Sequence, residues 1–262
     1  MRRRCVILGK ACTLGTAVAI VVGLVGTPSA SAQQSINLYL GGLSLRGLDG
    51  RGTDDVLFVD SVDVATINKQ TGDLDRGIDV GQFNNVTVGA DYLVALGNNI
   101  EAGLGVGFYR RTVPAVYSDL QNLNGSDISQ DLKLRIIPFT ATVRWLPLGR
   151  NSAVVPYIGG GVGVLNWRYS ETGQFVDSST GSTADCGRTG VRCDIFNDSF
   201  VGSGTSTGPV VVGGARVPVG GADVGFEVRY QGAKGNLSTD EFLAPKIDLG
   251  GFTYAFTVNF RF

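Results

Sequence analysis

The chain contains no histidine and a single methionine among its 262 residues. Without histidine the commonest general base, the imidazole metal ligand and the middle member of a Ser-His-Asp triad are all missing, which excludes most hydrolase mechanisms. Cysteine is scarce, four in all, and Cys5 and Cys12 lie in the first dozen residues. The remaining pair, Cys186 and Cys193, cannot build a zinc site without further soft ligands. Long basic blocks are absent too. The 22 Lys and Arg stand against 23 Asp and Glu, a net charge of −1, so no nucleic-acid partner is expected. Glycine is abundant, 39 residues, about twice the usual ~7 % and without Gly-X-Y spacing. That composition suits strands packed closely and joined by tight turns.

The first 32 residues read as a signal peptide. Arg2, Arg3, Arg4 and Lys10 precede the uncharged run ACTLGTAVAIVVGLVG, Pro28 ends it, and Ala30-Ser31-Ala32 supplies a cleavage site after Ala32. The run of 16 residues is short for a retained helical anchor, which needs ~20. Cys12 precedes the run rather than closing it, so a lipoprotein is not expected. The expected mature domain, 33–262, carries 18 basic and 23 acidic side chains, a net charge of −5. Export places Cys186 and Cys193 in an oxidising compartment, where a disulfide between them is expected.

Within the mature region no run reaches the length of a membrane helix, yet segments alternate apolar and polar residues with period two. The last is the clearest. Phe252, Tyr254, Phe256, Val258, Phe260 and Phe262 alternate with Thr253, Ala255, Thr257, Asn259 and Arg261, which puts the two sets on opposite faces of a strand. Its 11 residues match the ~9–11 that a tilted strand needs to cross a bilayer. Similar faces recur at 86–94, 101–108, 137–145 and 223–230, and three segments near 35–46, 154–169 and 208–218 have blurred phase because glycine fills many positions. The count is eight strands. Leu132, Leu134 and Ile136 fall in the opposite phase to Ile137, Phe139 and Ala141, so a β-bulge is expected at Ile136-Ile137-Pro138.

The connections alternate in length. Gly97-Asn98-Asn99, the stretch Pro147 to Ser152, and Val219-Gly220-Gly221 are short, whereas 47–84, 112–131, 170–207 and 232–248 are long and polar. This rhythm predicts an all-β fold: an eight-stranded antiparallel transmembrane β-barrel with short periplasmic turns and long extracellular loops. A soluble barrel of the lipocalin kind would turn its large apolar side chains inward. Against it, small and charged residues fill the opposite faces, and aromatic residues gather near strand ends as an interface girdle: Phe108, Trp145, Tyr157, Trp167, Tyr169, Tyr230, Phe252 and Phe262.

The leader, the size of the mature region, the strand IIPFTATVRW followed by VPYIGGGVGV, and the closing FTYAFTVNFRF together resemble the small outer-membrane β-barrel family typified by the OmpA transmembrane domain, OmpX and OmpW. The resemblance covers residues 35–262 and rests on the order of these features, none specific alone. It implies location in the bacterial outer membrane and contact with its lipid and lipopolysaccharide. It also implies a C-terminal signal for the outer-membrane assembly machinery, carried by Phe262 with Phe260, Val258 and Tyr254 in phase. No peptidoglycan-binding domain follows the barrel, so wall tethering is not expected.

With the apolar faces toward lipid, Asp91, Glu101, Arg144, Arg216, Asp223, Glu227, Arg229 and Arg261 point into the lumen. Eight strands leave room only for side chains, and buried charges need partners, so Glu101 and Glu227 are expected to pair with arginines. A closed plug is the expectation, ahead of a narrow solute path and well ahead of a catalytic carboxylate pair. The runs Gly103–Gly107 and Gly159–Gly163 lead into no Gly-Lys-Ser/Thr or amphipathic helix and read as close-packed strand. The first loop holds eight aspartates and a net charge of −5, read as solvated surface. Asp73, Asp75 and Asp79 lack the glycine and terminal Glu of an EF-hand calcium loop. Val56 to Val64 alternates partly, with no partner run to raise the count to ten. The sequence thus points to a non-enzymatic, cofactor-free protein, a monomer with a structural or surface-interacting role and an unassigned loop ligand, the competing reading being a narrow porin-like channel or transporter.

Overall fold

The computed structural model describes residues 34–45, 55–59, 64–67, 74–76, 80–177, 194–242 and 244–262. The expected signal peptide, Cys186, Cys193, Asp73 and Asp79 lie outside the described residues.

Eight long strands form the wall: β1 (Gln34–Ser44), β2 (Asn85–Ala95), β3 (Ile100–Gln121), β4 (Asp127–Trp145), β5 (Val155–Asp177), β6 (Asp194–Val219), β7 (Ala222–Gln231) and β8 (Gly251–Arg261). Each pairs antiparallel with its sequence neighbours, and β8 pairs with β1 through Ser35↔Arg261 to Ser44↔Phe252, which closes the ring. Closure leaves the spanning segments no free edge. Three short turns gather at one end with both ends of the wall. Gly149 and Gly220 adopt φ of 73° and 64° there, a left-handed conformation that glycine tolerates without cost.

The outward faces follow from period two. Ile36, Leu38 and Leu40 on β1, Leu104, Val106 and Phe108 on β3, Phe139, Val143 and Trp145 on β4, and Tyr254, Phe256 and Phe260 on β8 are exposed. Phe256, the most exposed of them, is 73 % accessible. On this face Phe226 packs edge-on against its register partner Phe256 at 5.8 Å between centroids. Cross-strand aromatic pairs of this kind stabilise a sheet beyond their area.

Several expectations need correction. The stretches 112–131 and 170–207 are mostly strand rather than loop. β3 and β4 continue to a tight turn at residues 122–126, and β5 and β6 pair from Asp177↔Asp194 onward. No bulge interrupts β4 at Pro138: register with β5 runs unbroken through Ile136↔Trp167, Ile137↔Asn166 and Pro138↔Leu165. The even positions of β4 face inward throughout, and the inward chemistry changes from Leu132, Leu134 and Ile136 to Thr140, Thr142 and Arg144. The irregularity lies instead in β3–β4 pairing between Val116 and Gln121. There a short strand, Val64–Ile67, joins the edge of β3 and pairs with Leu74–Arg76, the partner run the sequence reading did not find. Both hang from the wall, and the ring itself remains eight-stranded.

Candidate functional site

The interior has two storeys of opposite chemistry. At the short-turn end the inward positions carry charge, and each of the eight lumen residues read from the sequence lies there. Arg144 Nη2 is 2.8 Å from Asp91 Oδ2 and 3.3 Å from Glu227 Oε2. Arg229 Nη2 bonds the same two carboxylates at 2.7 and 2.8 Å. Below this quartet Arg216 Nη2 donates to Glu101 Oε1 at 2.5 Å and lies 3.6 Å, through Nε, from Asp223 Oδ2. Arg261 Nε donates to the same Asp223 oxygen at 2.8 Å.

Five participants were not anticipated. Tyr157 joins the two groups: its hydroxyl donates to Glu227 Oε2 at 2.9 Å, while the guanidinium carbons of Arg144 and Arg216 lie 5.1 and 5.7 Å from its ring centroid. Such cation–π contacts gain strength where water is excluded. Tyr39 offers its ring to Arg229 at 4.9 Å. Asn37 donates to Asp91 at 3.3 Å and Asn259 to Asp223 at 2.9 Å. Arg150 stands beneath the network, its Nε 4.0 Å from Glu101 Oε1. It is held by its turn, in which Arg150 N donates to Asn98 O and Gly149 N to Leu146 O, both at 3.0 Å. The blurred phase of β1 hid Tyr39, and nothing in a turn sequence announces that Arg150 folds back.

Inward glycines give these large groups their space. A Cβ on Gly89 or Gly107 would collide with the Tyr39 ring or hydroxyl, and one on Gly105 with Asp91 Oδ1 and Thr140 Oγ1. The two glycine runs therefore sit within β3 and β5 as packing positions.

Toward the long-loop end the lumen is filled by a hydrophobic core to which twenty of the described residues contribute buried side chains. Tyr109, Leu134, Ile136, Leu165, Trp167 and Tyr169 project from the wall, and Val56, Leu57, Phe83, Leu237, Phe242 and Ile247 descend from the connections. Tyr157, Trp167 and Tyr169, expected in the interface girdle, are thus interior, at 5 %, 2 % and 0 % exposure. Trp145, Phe108 and Phe262 remain outside. Trp167 Nε1 donates to Ser206 Oγ at 2.9 Å, and the Tyr109 hydroxyl donates to the Phe83 carbonyl.

Asp55 is no solvated loop charge. It caps the one-turn helix Val56–Val59 by accepting from Leu57 N at 3.2 Å, the usual role of aspartate at that position. It also accepts from Asp248 N at 3.4 Å, so the first connection is stitched to the hairpin Lys234–Asn236 and Lys246–Asp248. Between the storeys remains a cavity of about 30 Å³ lined by Tyr39, Tyr109, Ile136 and Arg229, room for about one water. Among the described residues no group of three or more His, Cys, Asp or Glu could hold a metal ion.

A closed ring that shows hydrocarbon outside and encloses paired charge is the inverse of a soluble barrel, and it defines a membrane-spanning β-barrel. No protein-family model matches the sequence, and no curated protein does. Among solved structures the chain is similar to Ail, the attachment invasion locus protein of Yersinia pestis, solved in complex with the heparin analogue sucrose octasulfate (13 % identity, 89 % of this chain, 100 % of that one, TM-score 0.38). It is also similar to the N-terminal β-barrel domain of Pseudomonas aeruginosa OprF (11 %, 88 % and 99 %, TM-score 0.38). A third is the outer membrane protein AlkL in lipid bilayers (16 %, 90 % and 95 %, TM-score 0.38). Superposition at that level bears on neither substrate nor partner.

Proposed function

We propose that the protein is a closed, non-catalytic barrel of the bacterial outer membrane, exported by its first 32 residues, with the short turns in the periplasm and the long-loop end at the cell surface. Its role is structural or surface-interacting, as a monomer. The observation that carries this reading is the lumen blocked twice, by the arginine–carboxylate network and by the core above it. Asp91, Glu101, Asp223 and Glu227 are each engaged by guanidinium and are 1–3 % exposed, so none stands free to work on a substrate.

The surface role is supported by the height of β3 to β6. At 22, 19, 23 and 26 residues they are about twice the ~9–11 a bilayer requires, and they raise a rigid wall beyond it. Tyr254, Phe260 and Phe262 share the outward face of β8 with Val258, which leaves them accessible to the assembly machinery. The test is conductance of the refolded full-length mature barrel in planar bilayers. No defined current steps are expected, and regular steps of one size would replace this reading with the narrow channel.

A further inference from the structure

The exposed wall of β3 to β5 changes character at one row. The outward face of β4 is apolar from Ile137 to Trp145, nine residues, the length of a tilted spanning strand. The next outward residue is Arg135. Its register partners are Arg110 on β3 and Arg168 on β5, so three guanidinium groups stand abreast on adjacent strands. Lys133 follows one row farther, between Thr112 and Ser170.

Like charges directly opposite one another are destabilising in a sheet, with neighbouring Cβ atoms about 5 Å apart. None of these four residues has an ion pair among the described residues, although Asp131 is the next outward residue on β4, and Arg135 Nε is buried without a hydrogen-bond partner. The same row on β7, β8, β1 and β2 offers no cation among the described residues. The patch is therefore one-sided, at the long-loop edge of the apolar belt, just below which Val106, Phe139 and Val164 face outward in register.

We propose that Arg110, Arg135 and Arg168, with Lys133, form a docking surface for the phosphate groups of a phosphorylated glycolipid in the outward-facing leaflet, whose acyl chains lie along the apolar residues beneath. Planar guanidinium forks match phosphate geometry and supply the charge-assisted bonds that mutual repulsion otherwise withholds. The inference rests on the membrane orientation proposed above.

The test uses the mature barrel refolded in detergent, incubated with bisphosphorylated lipid A or with its dephosphorylated form, and lipid retention is read by native mass spectrometry. The phosphorylated form is expected to be retained preferentially, and excess inorganic phosphate is expected to leave it in place. R110Q/R135Q/R168Q should lose retention by about fivefold for each arginine removed, the contribution of one cation at an anionic membrane surface, and Arg168→Gln alone by one such step. Arg168→Gln also reads the site if the triple variant does not refold. Equal retention of the two lipids, unchanged retention by the variants, or complete displacement by inorganic phosphate would each overturn the proposal. A mature chain that stays soluble and monomeric without detergent would instead sink the membrane reading, an outcome separable from the others.

Discussion

Arg229 Nη2 bonds both Asp91 and Glu227, at 2.7 and 2.8 Å, with Nε adding a second bond to Glu227 at 3.1 Å, and so ties β7 to β2 across the lumen. Removing one partner of a buried pair leaves the other charge uncompensated, at a cost of about 3–5 kcal/mol. Arg229→Leu should lower the urea unfolding free energy of the refolded barrel by about that amount. Adding Asp91→Asn to it should recover part of the loss, because an orphaned carboxylate is then neutral. No recovery in the double variant would mean that packing, and not charge pairing, sets the cost.

The two tryptophans sit on opposite sides of the wall, Trp145 at 56 % exposure and Trp167 at 2 %. In vesicles of brominated lipid, Trp167→Phe should keep strong quenching from Trp145, and Trp145→Phe should leave an emission that bromine barely touches. Equal quenching of the two variants would contradict the inward placement of Trp167.

Gly89 faces inward against the Tyr39 ring, which in turn stacks on Arg229. Gly89→Val forces that ring away, and overpacking of this kind costs about 1–3 kcal/mol. The midpoint of heat-induced gel migration change should fall. Gly42→Val, at a position where an added Cβ meets nothing, should leave it nearly unchanged.

Phe262 is 65 % exposed at the end of the wall, so Phe262→Ala removes little packing. Refolding into detergent should proceed as for the unaltered chain, while the folded yield in cell envelopes falls several-fold. An equal loss in both settings would assign Phe262 to stability instead of recognition by the assembly machinery.

The wall was legible because alternation is local: one side chain in two meets hydrocarbon along β8, β4 and β7, and the sequence says so directly. The upper interior was not legible, and β4 shows the reason. Below Pro138 an apolar residue on this strand looks outward at lipid, as Phe139 and Val143 do. Above it the exterior is aqueous and the interior is oily, so Leu132, Leu134 and Ile136 look inward with the period unbroken. A reading that gives apolar residues one meaning along the whole strand mistakes that inversion for a bulge, and it sends Trp167 and Tyr169 to the wrong side. The charged lumen could be inferred from one face of each strand. Tyr157, Tyr39 and Arg150 could not, because their membership depends on which strands and turns become neighbours.

The seam between β1 and β8 joins the first and last strands of the wall: Gln34 N donates to Phe262 O at 3.2 Å and Phe262 N to Gln34 O at 2.9 Å. Until they meet, two rows of peptide groups lack partners, and hydrocarbon penalises each by several kcal/mol. A chain whose closing strand is not yet in place therefore has no stable half-cylinder to occupy, and entry into the bilayer and closure become a single event that waits for β8 to reach β1.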